Sequence, residues 1–323
     1  MEYYLALIIL LVLCCIGVAY TIYATRLIER QWPRIGRLIV AQNVPAHVIE
    51  RGEGGEVLLV HGAASNAREL LAAMEGRLDG CRLIAPDRPG LGYSGIAHNA
   101  WKLEVQAAFL ADILTQTATG PVVAMGHSWG SGVILRLALD RPDLIKALVL
   151  VAPASHPWKK TFNPVNWVCA VPILGDLLVW TLPALFGPHL MQAGIARGFA
   201  PGPVVPPDYS RIIGTPLFFR PHSFKTNAAD MEAGSRELGL QAHRYETLSL
   251  PVTIISGKGD VIVSNTIHAA GLARDIPHAT RFCVDAAGHM PHWVDPDLVA
   301  KVIQGYAIGA DMPPTSAQFL ADA

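Results

Sequence analysis

The stretch that most constrains this chain is Gly126-His127-Ser128-Trp129-Gly130. The apolar run Pro121-Val122-Val123-Ala124-Met125 leads into it, and Ser131-Gly132-Val133-Ile134-Leu135-Arg136-Leu137-Ala138-Leu139 follows. The first reads as a buried strand and the second as a helix, so the backbone must turn sharply between them. A serine at the tip of such a turn takes a strained conformation, and the flanking glycines let neighbouring elements approach. The Gly-x-Ser-x-Gly pattern recurs by chance too often to decide anything alone, so the rest of the chain must supply the context.

That context is an alternation of strand and helix. Strands are expected over Ala46-His47-Val48-Ile49-Glu50-Arg51-Gly52, Glu56-Val57-Leu58-Leu59-Val60-His61-Gly62, Arg82 to Pro86 and Ala147 to Val151, with helices over Asn66 to Leu78 and Leu103 to Thr115. Continuous apolar strands alternating with helices argue a parallel sheet covered on both faces. From Ser155 to Ser249 the periodicity is broken by Pro164, Pro172, Pro183, Pro188, Pro201, Pro203, Pro206 and Pro207, which reads as an insertion. Alternation resumes with the strand Val252 to Ile255, a helix from Ser264 to Asp275, the strand Arg281 to Val284 and a helix from Pro296 to Ala307. The expected organisation is an apolar anchor (1–25), a basic linker (26–45), a first core segment (46–154), a lid (155–250), a second core segment (251–310) and a small polar tail (311–323).

Tyr3 to Tyr23 carries no charge. As a helix it spans about 31 Å, enough for a hydrocarbon core of ~30 Å. A cleaved signal peptide is the rival reading, but only Glu2 precedes the run and no small-x-small site follows it, so an uncleaved single-pass anchor is expected. Arg26, Arg30, Arg34 and Arg37 place the remainder on the cytoplasmic side. Protease protection of that remainder in inverted vesicles would sink this orientation. A net charge of -1 without basic blocks gives no footprint for nucleic acid, and the five cysteines show neither metal nor redox spacing.

A serine hydroxyl is a poor nucleophile near neutral pH and needs a base, itself oriented by a third group. The strand-elbow-helix unit resembles that of the α/β-hydrolases, which implies partners in the order acid, then histidine, at the carboxyl ends of later strands. Asp260 follows its strand through Ser256-Gly257-Lys258-Gly259, and His289 follows the next through Asp285-Ala286-Ala287-Gly288. The rival for Asp260 is a helix N-terminal acid, and the rival for His289 is His292. His127 reads as a packing or hydrogen-bonding residue. Oxyanion donors are expected from the backbone N–H groups of Trp129 and Ala63, the latter in the small-residue loop His61-Gly62-Ala63-Ala64-Ser65. This set needs no cofactor and no metal.

His61-Gly62, Asp87-Arg88-Pro89-Gly90-Leu91-Gly92-Tyr93-Ser94, the elbow, Gly257-Lys258-Gly259-Asp260 and Gly288-His289 together resemble the α/β-hydrolase fold superfamily, over roughly Val48 to Tyr306 apart from the lid. The resemblance implies a mostly parallel sheet with helices on both faces, a helical lid between the sixth and seventh strands, and a Ser-Asp-His triad. It also implies that the Asp87 segment is a structural turn. Ser128 stands where epoxide hydrolases and haloalkane dehalogenases of the group have aspartate, which disfavours that chemistry. The anchor followed by a hydrolase unit is similar to membrane-bound monoacylglycerol lipases.

The lid is the one direct clue to substrate. Trp167 to Phe186 is strongly apolar but is interrupted by Pro172, Gly175-Asp176 and Pro183, too often for a second membrane span. Either it packs as an ordinary cap, or its outer face also meets lipid and admits an acyl chain. Pro216-Leu217-Phe218-Phe219 is expected at the same cavity. The expected activity is hydrolysis of small lipophilic esters. Thioesterase, amidase, acyltransferase and carbon–carbon hydrolase chemistry stand as alternatives on the same triad, beside a non-catalytic ligand-binding protein.

Overall fold

The computed structural model describes residues 2–159, 163–171, 173–202 and 205–314. Helix α1 (Glu2–Gln31) is followed by strands β1 (Arg37–Ala41), β2 (Val44–Arg51) and β3 (Gly55–Val60). Then come α2 (Ala67–Met74), β4 (Cys81–Pro86), α3 (Leu103–Thr117), β5 (Val122–His127), α4 (Trp129–Asp140) and β6 (Ile145–Val151). The insertion holds α5 (Pro164–Ala170), α6 (Leu174–Val179), α7 (Pro183–Phe199), α8 (Tyr209–Ile213) and α9 (Pro221–Ala242). The chain closes with β7 (Val252–Gly257), α10 (Ala269–Asp275), β8 (Thr280–Val284), α11 (Pro291–Val294) and α12 (Pro296–Ile308).

The eight strands form one sheet in the order β1-β2-β4-β3-β5-β6-β7-β8. The β1/β2 and β2/β4 pairs are antiparallel and all others parallel. Every residue of the central strand β5 is buried, because helices cover both faces. Side chains of α3, α4 and α10 pack on one face and those of α2 and α12 on the other. The expected fold is therefore the observed one, with the helical lid between β6 and β7.

The segment read as a basic linker is the main correction. Nothing breaks the helix before Pro33, so α1 runs through Arg26 and Arg30 to Gln31, and Arg37–Ala41 then pairs with β2 as the sheet edge. The helix expected from Ser264 begins only at Ala269. α1 does not stand apart from the domain. It packs against α7, Gly17 lies against Thr181, and Glu29 pairs with the buried Arg220 at 2.9 Å. Most of the expected tail, and the proline positions 172 and 203, lie outside the described residues.

Candidate active site

The elbow forms because β5 delivers Ser128 at φ +53° and ψ −118°, and α4 starts at the next residue. Positive φ is unfavourable for a serine, so the surrounding contacts must hold it there. Two of them demand glycine. A Cβ on Gly126 would sit 2.7 Å from the carbonyl oxygen of Gly130, and one on Gly130 would run into the carbonyl oxygen of Val60 at the end of β3. Ser128 N–H donates to Val151 O at 2.9 Å, and Ser131 Oγ donates to Gly126 O at 2.6 Å, tying the turn to β6 and to its own base.

Ser128, His289 and Asp260 meet at this point. Ser128 Oγ lies 2.9 Å from His289 Nε2, and His289 Nδ1 lies 2.8 Å from Asp260 Oδ2. A carboxylate only accepts, so Nδ1 carries the imidazole proton and the Nε2 lone pair faces the hydroxyl. Asp260 Oδ1 accepts the N–H groups of Ile262 (2.8 Å) and Val263 (2.9 Å), which fixes the carboxylate in the loop after β7. The next helix begins only at Ala269, so Asp260 caps no helix. His292, the rival for His289, is fully buried with its Nε2 on Glu69 at 2.7 Å. His127 donates from Nε2 to the carbonyl of His289 at 2.9 Å, so it holds the histidine loop.

Ala63 and Trp129 line the same cavity as Ser128. The N–H of Trp129 opens α4, where no intrahelical acceptor exists. The loop carrying Ala63 is braced by Arg88, whose N–H donates to His61 Nε2 (3.0 Å) and whose guanidinium donates to the carbonyls of His61 (3.1 Å) and Gly62 (3.0 Å). Burial, aided by Arg88, pushes His61 down to about 4, so the ring is neutral. Arg88 pairs with Asp230 of α9 at 2.7 Å, with both side chains fully buried. Neither Asp230 nor this brace is legible in sequence, because the partners lie 142 residues apart.

The cavity above Ser128 measures about 840 Å³ and is walled mainly by carbon. The lid supplies Leu178, Leu182, Phe186, Leu190, Phe218 and Phe224 to it. Leu182, Phe186 and Leu190 recur every four residues and also stand exposed, so they rim the opening on the helix that packs against α1. Of the run Pro216-Leu217-Phe218-Phe219 expected at the cavity from sequence, Phe218 and Phe219 line it and Pro216 and Leu217 do not.

Comparison with known proteins gives a consistent picture. The model of the Alpha/beta hydrolase family matches residues 57–302. Lipase LipV of Mycobacterium tuberculosis (strain ATCC 25618 / H37Rv) is 36% identical over 113 residues, 34% of this chain and 42% of that protein, so the match spans less than half of that relative. A thermophilic esterase from Thermogutta terrifontis superposes with a TM-score of 0.66 at 22% identity, covering 84% of this chain and 98% of that one. A membrane phospholipase A described as a bacterial virulence factor gives 0.68 at 19% identity, covering 96% and 99%. At such identities the structural likeness speaks to the fold alone.

Proposed function

The chain belongs to the alpha/beta hydrolase family, and we propose that it is a membrane-anchored serine hydrolase cleaving carboxylic esters of lipophilic acyl groups. The observation that carries this reading is the unbroken Asp260–His289–Ser128 hydrogen-bond chain opening into a carbon-walled cavity. In this reading Ser128 Oγ attacks the ester carbonyl as His289 Nε2 takes its proton. The N–H groups of Ala63 and Trp129 receive the oxyanion, each worth roughly 3 kcal/mol to the transition state. His289 then protonates the leaving alcohol, and Asp260 steadies the imidazolium. Water, deprotonated by the same histidine, releases the acid from the acyl-serine.

The length and composition of α1 support anchoring, since Tyr3–Gln31 is long and apolar enough to cross a bilayer and its first part, Tyr3 to Leu13, is exposed throughout. The arginines after its apolar run orient the hydrolase unit to the cytoplasm. The carbon lining and its rim beside α1 favour a lipophilic acyl group over a small polar one. A fluorophosphonate probe is expected to label the wild type and not Ser128→Ala, and an ester panel graded by acyl length is expected to favour long over acetyl chains. An unlabelled wild type that still binds a lipophilic ligand would remove the enzyme reading, and a preference for acetyl would remove the lipid one.

A further inference from the structure

Behind the base lies a second constellation that the ester chemistry does not use. Glu69 of α2, His127 at the end of β5 and His292 of α11 are all at least nine-tenths buried. The His127 and His292 rings lie 4.4 Å apart, and Glu69 Oε1 accepts from His292 Nε2 (2.7 Å) and Trp293 Nε1 (2.6 Å). One ligand-capable atom of each of the three residues lies within 4.8 Å of the other two.

The proton inventory of this cluster is unusual. His127 Nε2 faces a carbonyl, which can only accept, so its proton is on Nε2 and its Nδ1 is a lone pair. His292 Nε2 lies on the Glu69 carboxyl, and its Nδ1 faces no hydrogen-bond partner among the described residues. Both hydrogen bonds that reach the Glu69 carboxyl among the described residues fall on Oε1, from His292 Nε2 and Trp293 Nε1. His127 Nδ1, His292 Nδ1 and Glu69 Oε2 are buried and have no protein donor among the described residues. Buried polar atoms left without a partner are costly unless a bound group answers them.

We propose that Glu69, His127 and His292 form a binding site for a divalent transition-metal ion of the zinc type. Two imidazoles and one carboxylate are a borderline donor set that suits zinc, and too few oxygens for calcium or magnesium. His127 has the outer arrangement of a metal-ligating histidine, one ring nitrogen donating to a backbone carbonyl and the other free to ligate. Glu69 and His127 also line the large cavity, which gives the ion a path in. An ion there ties α2, the strand before Ser128 and the helix after His289 into one unit, without entering the ester chemistry.

Zinc titrated calorimetrically into the full-length chain in detergent is expected to bind at one ion per chain, and Co²⁺ to give the intense visible bands of a low-coordinate nitrogen and oxygen site. Zinc should also raise the unfolding midpoint. Glu69→Gln and His292→Gln should each weaken binding beyond the ~10–100-fold typical of losing an outer-shell partner, and abolish the midpoint shift. Ser128→Ala should keep both, which separates this inference from the hydrolase reading. A wild type that binds no zinc, or variants that bind it as tightly as wild type, would overturn the site. Should a variant fail to fold, X-ray absorption on the zinc-loaded wild type decides: two imidazoles and a carboxylate support the site, and any other donor set refutes it.

Discussion

At the scale of single residues, Arg88 ties the loop that carries Ala63 to α3 and to the lid. Its guanidinium reaches the His61 and Gly62 carbonyls, Gln106 of α3 (2.8 Å) and Asp230 of the lid (2.7 Å), while Gln106 Nε2 donates to the other Asp230 oxygen at 3.1 Å. A buried pair adds little over an apolar substitute, but removing one partner strands the other charge in carbon. Asp230→Ala should therefore lower unfolding stability by ~3–5 kcal/mol, read from the urea midpoint and slope. A loss below ~1 kcal/mol would mean that Arg88 finds other compensation. The Asp87 segment illustrates what a motif does and does not disclose. Its reading as a structural turn agrees with Asp87, which accepts from His47 Nδ1 (2.7 Å), Tyr93 N–H (2.7 Å) and Ala67 N–H (2.8 Å), but the brace to the lid depends on an aspartate in no motif.

At the scale of elements, the parts legible in sequence were those set by local rules. The apolar runs gave the central strands, and Gly126 and Gly130 marked a junction where β3 and α4 touch backbone to backbone. β1 was hidden because Leu38 and Val40 are exposed on an edge strand among arginines, so no buried alternation marks it. The lid was legible only as broken periodicity, since its helices are oriented by packing on α1, α9 and the cavity and not by a repeat. Its outer face carries Trp167, Ile173 and Leu174, all more than half exposed, and neither Ile173 nor Leu174 reaches the cavity. If this face rests on lipid beside α1, Ile173→Lys with Leu174→Lys should slow hydrolysis of a vesicle-embedded long-chain ester several-fold and leave a soluble short-chain ester unaffected. Equal rates on both substrates would return the lid to the role of a simple cap.

Across the whole molecule, buried histidines make the fold sensitive to acid. His61 Nε2 accepts the Arg88 N–H, and His268 Nδ1 accepts the N–H groups of Ser155 and His156 at 3.1 Å each, so a proton on either ring would set donor against donor. Burial first, and then Arg88 beside His61 and His156 beside His268, push both rings down to about 4 from the ordinary 6.5, and burial also holds His127 well below its ordinary value. The unfolded chain takes these protons near pH 6.5 and the folded chain does not take them until near pH 4. Between those values the unfolded state binds more protons, so stability is fully present above pH 6.5 and drains as pH falls, by ~1.4 kcal/mol per pH unit for each histidine. Glu69 steepens the loss only below its unfolded value near 4.5, because its folded value is depressed. Urea midpoints measured from about pH 7.5 down to about 4.5 should fall with at least a two-proton slope, and His268→Asn should flatten it by about one proton. A midpoint that stays level through this range would show that these rings are protonated in the folded state, and the hydrogen-bond directions assigned to them would have to be reversed.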